Sequence, residues 1–292
     1  MNLAVGFFDG VHLGHRRILA QADAALTFLN HPATVFAPDR VPPLLMPTPA
    51  RLTAIGDALG GRSSSVPDSN RVRALPFTAE LAAEPPAAFA ARLCRDYPDL
   101  ETVFCGPNWT YGAGGAGTAE TLREEGFRVE TVPFVMHGGT PISSTRIRAA
   151  LCDGRMDEAT ALLGRPYAVT GTTFSGKGLG RTLGRPTINL RLPEGLVQLP
   201  LGVYAVATPL GTGIANYGHA PTLGSRAWTE PVLEVHLPDA KESFSAPESL
   251  SVSFVRFIRP ERKFDSLQDL QDQIARDIAN AALSHPDSTR TP

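Results

Sequence analysis

Cysteine is scarce in this sequence. Among 292 residues there are only Cys94, Cys105 and Cys152, widely spaced. That excludes a disulfide framework and a cysteine-based zinc site, and inert thiols in a reducing compartment are expected. No run of about 18 apolar residues occurs, so no membrane-spanning helix is expected. The opening MNLAVGFFDG has no basic stretch before a long apolar one and does not read as a signal peptide. Neither sign of charge dominates, with 27 basic against 29 acidic residues and a net charge of −2. Such a balance carries no electrostatic footprint for nucleic acid or for a membrane surface. What remains is a soluble, cytoplasmic protein with neither of those partners.

The apolar fraction, 42%, suffices for packed cores. The length suits two domains of about 100–200 residues each. The first half alternates strand and helix patterns. Leu3 to Phe8 reads as a buried strand and Gly14 to Asp23 as a helix, while Ala24 to Leu29 suits either. Further on come a Pro-rich loop at 42–49, a helix at 50–59 and a polar loop at 60–70. Strands at 71–75, 102–105 and 128–134 then alternate with helices at 85–95 and 118–125. Such alternation implies a parallel sheet. After Gly164-Arg165-Pro166 the texture changes. Tyr167 to Phe174, Val203 to Thr208, Val232 to Leu237 and Leu250 to Ile258 are strand-like, and a helix capped by Ser266 follows to Leu283. The second half therefore predicts a small antiparallel barrel closed by a terminal helix. Residues 285–292 read as a frayed tail.

Two constellations carry chemistry. In the first, Asp9, Gly10, His12, Gly14 and His15 lie between the first strand and the first helix. Open parallel sheets bind ligands beyond the carboxyl ends of their strands, and a helix N-terminus there favours phosphate. Two imidazoles could donate hydrogen bonds to phosphoryl oxygens as charge develops. A histidine-held metal and two incidental surface histidines are the competing readings. Ser143, Ser144, Thr145, Arg146 and Arg148 add hydroxyls and guanidinium forks suited to a polyphosphate, or simply start a capped helix.

In the second constellation, Gly176, Lys177, Gly178 and Gly180 form a glycine-rich loop that could cradle phosphate or merely join two strands. Thr187 and Asn189, spaced i and i+2, share one strand face. Their oxygens suit Mg²⁺, or they face water. Glu234 and His236 lie on the face of their strand opposite Leu233, Val235 and Leu237.

Gly6-Phe-Phe-Asp-Gly-Val-His-Leu-Gly-His15 and Ile142-Ser-Ser-Thr-Arg-Ile-Arg148 resemble the two nucleotide motifs of the bacterial bifunctional riboflavin kinase/FMN adenylyltransferase (FAD synthetase) family. Leu75 to Leu81, Gly164 to Tyr167, Gly184 to Asn189 and Lys263 to Ser266 extend the likeness over nearly the whole chain. The resemblance implies an α/β Rossmann-like nucleotidyltransferase domain over 1–163. It also implies a six-stranded antiparallel riboflavin kinase barrel over 164–284, and it makes Ala24 to Leu29 the second strand. The implied enzyme is a transferase that phosphorylates riboflavin to FMN and adenylylates FMN to FAD, with ATP as co-substrate and Mg²⁺ as cofactor. Phe7 and Phe8 join the first motif as nucleotide contacts, Asn108 and Arg259 are implied flavin contacts, and Glu234 aligns with the catalytic glutamate. Where the family usually has Arg, and nearby a second basic residue, this chain has Thr110 and Gly115. A riboflavin kinase with a degenerate adenylyltransferase domain is therefore the alternative, and a non-catalytic flavin- or nucleotide-binding protein is another. An aminoacyl-tRNA synthetase shares a His-x-Gly-His-type motif, but no Lys-Met-Ser-Lys-Ser-like partner accompanies it.

Overall fold

The computed structural model describes residues 1–60, 71–174, 187–219, 231–238 and 246–282. The chain divides into two compact units, Met1–Ser144 and Thr145–Pro292.

The first unit is built on five parallel strands. They are β1 (Asn2–Val5), β2 (Ala24–Phe28), β3 (Val72–Leu75), β4 (Thr102–Cys105) and, after the short hairpin β5 (Thr110–Tyr111) and β6 (Gly117–Thr118), β7 (Arg128–Thr131). Their spatial order is β3-β2-β1-β4-β7. The helices are α1 (Leu13–Leu19), α2 (Ala33–Phe36), α3 (Thr48–Ala58), α4 (Ala79–Ala82), α5 (Pro86–Asp96) and α6 (Ala119–Glu124). A second hairpin, β8 (Met136–His137) with β9 (Thr140–Pro141), precedes α7 (Ser144–Cys152), which begins at the last residue of the unit.

Both sheet faces are covered. Leu3, Val5 and Leu26 pack with Phe89 and Leu93 of α5 and Leu122 of α6. Ala4 and Ala25 turn the other way, toward Ile18 and Leu19 of α1 and Ile55 of α3. A strand buried on both faces reads as a continuous apolar run, which is why the sequence shows no alternation there. Ala24–Phe28 is a strand, as the family likeness implies, because β1 and β3 flank it on both edges.

The second unit is a closed barrel of β10 (Tyr167–Phe174), β11 (Thr187–Arg191), β12 (Gly202–Thr208), β13 (Gly211–Gly218), β14 (Val232–His236) and β15 (Ser249–Pro260). They are arranged β10-β11-β14-β13-β12-β15 with every pair antiparallel. Helices α8 (Met156–Leu163) and α9 (Leu267–Ala282) complete it. Tyr204, Phe254, Leu190, Leu233 and Val235 are buried, with the Tyr204 and Phe254 rings edge to face at 5.2 Å. Val203, Ala205 and Ile214 pack outward against Ile274, Ile278 and Ala281 of α9. On β11 and β14 only alternate residues are buried, so Thr187, Asn189, Glu234 and His236 lie on the barrel's outer face.

Four of the six barrel strands are legible in the sequence as strand-like runs, and Thr187 and Asn189 already suggest a fifth. The sixth, β13, carries Gly211, Gly213 and Gly218 and has weak strand propensity. It forms because it pairs along its length with β12 and β14. Gly213 is also a spatial necessity, since a methyl there would strike the His236 backbone carbonyl.

Candidate active site

The first strand ends earlier than its apolar run. The sequence suggests Leu3 to Phe8, but β1 stops at Val5 because Phe8, Gly10 and Val11 adopt φ of 56°, 79° and 41°. Positive φ is costly for Phe and more so for a β-branched Val. Burial of both side chains in the α1/α3 core holds the turn in place. Gly10 is required there, since a Cβ would meet Leu45 Cδ1 at 2.6 Å. The Asp9 carboxylate is buried and accepts the Leu45 N–H at 3.1 Å from each oxygen, fastening the 45–46 segment to the turn. Strain of this kind concentrates at functional sites, and this turn lies at the carboxyl end of β1, beside the point where the strand order reverses.

His12 is the N-cap of α1. Its Nδ1 accepts the His15 N–H at 3.3 Å, so in the neutral ring the proton sits on Nε2. The two imidazoles stack at 3.5 Å with an 18° interplanar angle, and Phe8 meets His15 edge-on at 5.4 Å. Burial, and then the neighbouring His12, hold His15 well below its ordinary pKa of 6.5. At neutral pH His15 is therefore uncharged. Gly14 leaves room for the His12 ring, since a Cβ there would lie 3.2 Å from it. Among the described residues no group of three or more His, Cys, Asp or Glu is placed to hold a metal ion.

Ser144 joins the two sequence motifs, its hydroxyl donating to the Asp9 carbonyl at 3.0 Å. Ser143 is half-buried. Thr145, Arg146 and Arg148 follow in the second unit, where Thr145 is exposed and Arg148 half-buried. There Arg146 Nε donates to Glu158 at 2.9 Å, so its charge is engaged locally. Asn108 is exposed in the turn after β4. Thr110 and Gly115 adjoin, for a Cβ on Gly115 would lie 3.2 Å from the Thr110 hydroxyl. The two positions that differ from the family pattern thus form one spot.

On the barrel, strand register assembles the second constellation. Asn189 of β11 is directly opposite Glu234 of β14, and Thr187 is opposite His236. Directly paired residues of antiparallel strands share a face, so hydroxyl, amide and carboxylate oxygens converge. Asn216 of β13 flanks Glu234 on its other side. Its Nδ2 donates to Glu261 at 3.1 Å, placing a second carboxylate beside this face. Arg259 donates through Nε and Nη2 to the buried carboxylate of Asp277 on α9, at 2.7–3.1 Å. The loop residues Gly176, Lys177, Gly178 and Gly180 lie outside the described residues.

The sequence reading missed Asn216, Glu261 and Arg51. Asn216 sits in the glycine-rich β13, whose pairing to Glu234 has no local signal. Arg51 reads as an ordinary charge on a helix, yet it is fully buried.

A family model described as FAD synthetase matches residues 1–146, and one described as riboflavin kinase matches 163–284. Two relatives named bifunctional riboflavin kinase/FMN adenylyltransferase align over almost everything. The one from Bacillus subtilis is 30% identical, with 96% of this chain and 90% of the relative covered. The one from Escherichia coli K12 is 34% identical, with 96% and 91% covered. A crystal structure of a Streptococcus pneumoniae protein described as a macrolide-efflux protein superposes with a TM-score of 0.82 at 27% identity, covering 96% of this chain and 93% of that one. Among the described residues no helix is long and apolar enough to cross a membrane.

Proposed function

This chain belongs to the bifunctional riboflavin kinase/FMN adenylyltransferase family and makes FMN from riboflavin and FAD from FMN, and we propose that its two units divide the work. Riboflavin plus ATP gives FMN plus ADP on the barrel. FMN plus ATP gives FAD plus pyrophosphate on the α/β unit. The observation that carries this division is the placement of the two family matches, one over each architecture. The domain division proposed is 1–163 and 164–284, with 285–292 as a tail outside the described residues.

In the barrel, Glu234 accepts the proton of the ribityl 5′-hydroxyl as that oxygen attacks the γ-phosphorus of ATP. Thr187 and Asn189 offer the hard oxygen donors that suit Mg²⁺, a cation that takes few protein ligands and shares the rest with phosphates. Bound there, it would neutralise charge on the transferring phosphoryl oxygens. Lys177 and its neighbouring glycines are proposed phosphate contacts, and Arg259 and Asn108 proposed flavin contacts of their respective units.

In the α/β unit the FMN phosphate attacks the α-phosphorus in line. Phe7 to Gly10, Gly14, Ser143 and Ser144 hold the triphosphate, and Thr145, Arg146 and Arg148 at the start of α7 are proposed phosphate contacts. His12, whose Nδ1 accepts the His15 N–H, donates from Nε2 to the developing charge, with His15 stacked on it. The free thiols Cys94, Cys105 and Cys152 accord with a cytoplasmic setting.

Incubation with riboflavin, ATP and Mg²⁺, with FMN and FAD resolved by chromatography over time, tests the reading. Sequential appearance of FMN and then FAD is expected. FMN that never proceeds to FAD would favour the kinase-only alternative and point to the Thr110–Gly115 spot.

A further inference from the structure

Among the described residues the largest fully buried side chain of the first unit is charged. Arg51 of α3 has no exposed surface. Its Nη1 donates to the Phe7 carbonyl at 2.7 Å and to Thr27 Oγ1 at 3.1 Å, and its Nη2 to the carbonyls of Phe28 at 2.6 Å and Leu29 at 3.3 Å. Its guanidinium carbon lies 4.1 Å from the centre of the Phe7 ring, whose edge meets His31 at 4.7 Å. Nε is buried with no hydrogen-bond partner. Among the described residues no carboxylate is within ion-pair distance of Arg51; burial lowers its pKa to about 10, and the buried Asp9 carboxylate nearby offsets only part of that. Every acceptor is neutral.

Such a placement is costly for a core residue, because an ion taken out of water is repaid well only by a close counter-charge. A leucine or methionine would fill the space without that cost. The acceptors show what the charge does instead. All belong to residues at the carboxyl ends of β1 and β2, beyond Val5 and Leu26, the last residues that pair those two strands with each other. One flat fork gathers both strand ends, and Thr27 Oγ1 adds its own bond to Phe7 O at 3.2 Å. Phe7 is held twice, by its carbonyl and by its ring. It immediately precedes the turn in which Phe8, Gly10 and Val11 are forced to positive φ.

We infer that Arg51 is a positioning residue for adenylyl transfer. It fixes Phe7, and through Phe7 the strained Phe8–Val11 turn on which Asp9 and His12 are mounted. The inference rests on the assignment of that turn to the triphosphate. Arg51 touches no substrate, since it is wholly enclosed. Its loss should therefore misplace the turn during reaction rather than remove a binding contact. Misplacement of about 1 Å can cost 10²-fold in rate. The planar fork and ring stacking are properties of arginine that lysine cannot reproduce.

The test uses the full chain, in which riboflavin phosphorylation serves as an internal control. Arg51→Met should lower kcat for FAD formation from FMN by about 10²-fold, with KM for FMN and ATP changed less than about threefold. Arg51→Lys should recover only part of that loss, and FMN formation should stay at the wild-type rate in both. A variant with lowered thermal stability but unchanged kcat well below its melting temperature would overturn the inference, since that is what a core anchor alone would give. If Arg51→Met does not fold, Thr27→Val removes one acceptor isosterically, and a kcat equal to wild type would overturn the inference equally. His12→Ala run in parallel separates the two readings. Retained FAD formation in His12→Ala refutes the site assignment, whereas its loss there with retention in Arg51→Met refutes only the role of Arg51.

Discussion

The Arg259–Asp277 pair joins β15 to the terminal helix, and its two partners are unequally buried. The Asp277 side chain is 1% exposed and that of Arg259 19%. Asp277 receives three guanidinium contacts at 2.7–3.1 Å and one from Gln273 Nε2 at 2.8 Å. Removing the arginine strands a carboxylate that cannot reach water. Removing the carboxylate leaves an arginine that can swing toward solvent. Arg259→Met should therefore cost about 3–5 kcal/mol, the range for breaking a buried pair from its less replaceable side. Asp277→Asn should cost only about 1–2 kcal/mol, because a neutral amide still accepts and the guanidinium can rehydrate. The combined Arg259→Met, Asp277→Leu variant should cost less than the sum, with a coupling of at least about 1 kcal/mol. Hydrogen exchange of amides in α9 and β15, read by mass spectrometry across a urea series, isolates this interface from the other unit. The expected increase in opening for Arg259→Met is about two to three and a half decades, at about 1.4 kcal/mol per tenfold. The reasoning is refuted if Asp277→Asn is the more damaging change, or if the two substitutions add without coupling. Riboflavin kinetics on the same variants would report whether the anchored Arg259 also contacts flavin.

Glu234→Gln should reduce FMN formation by about 10²–10⁴-fold while FAD formation from supplied FMN continues, and a near-normal kinase rate would remove Glu234 from the chemistry. His12→Ala with His15→Ala should lower FAD formation by at least about 10²-fold and leave FMN formation intact; product chromatography at the wild-type FAD rate would contradict the phosphate role. The depressed pKa of His15 also sets a pH dependence. Below its ordinary value of 6.5 the unfolded chain takes up a proton that the folded chain refuses, so stability falls as the solution is acidified below that point. The slope is at most about 1.4 kcal/mol per pH unit and flattens once the folded value is passed. Thermal unfolding of the α/β unit between about pH 5 and 8 should show it, and His15→Asn should remove it; a slope persisting in the variant would assign it elsewhere.

Local order carried much of the architecture into the sequence. Apolar runs at 3–5 and 102–105, bounded by turn residues, mark buried parallel strands because both faces are covered and no alternation is needed. The apolar stripe that includes Ile274 and Ile278 marks the terminal helix because one face packs on the barrel. The histidine motif and its neighbouring glycines were visible because close backbone approach and a helix N-cap demand those residue types at fixed spacing. The pairing of Thr187 with Asn189 on one face followed from strand periodicity alone.

Tertiary structure decided the rest, because the deciding partners are distant in sequence. Ala24–Phe28 lies between two strands whose hydrogen bonds outweigh its ambiguous local preference. β13 overcomes its glycines through pairing on both edges. Which oxygen stands opposite Glu234 is a matter of register, and register is set across strands rather than along one. The same is true of charge. Arg51 and Arg146 are both arginines on helices, but one is buried among the carbonyls of two strand ends and the other is paired with Glu158. A side chain's role in recognition depends on what surrounds its charge, and only the folded chain supplies those surroundings.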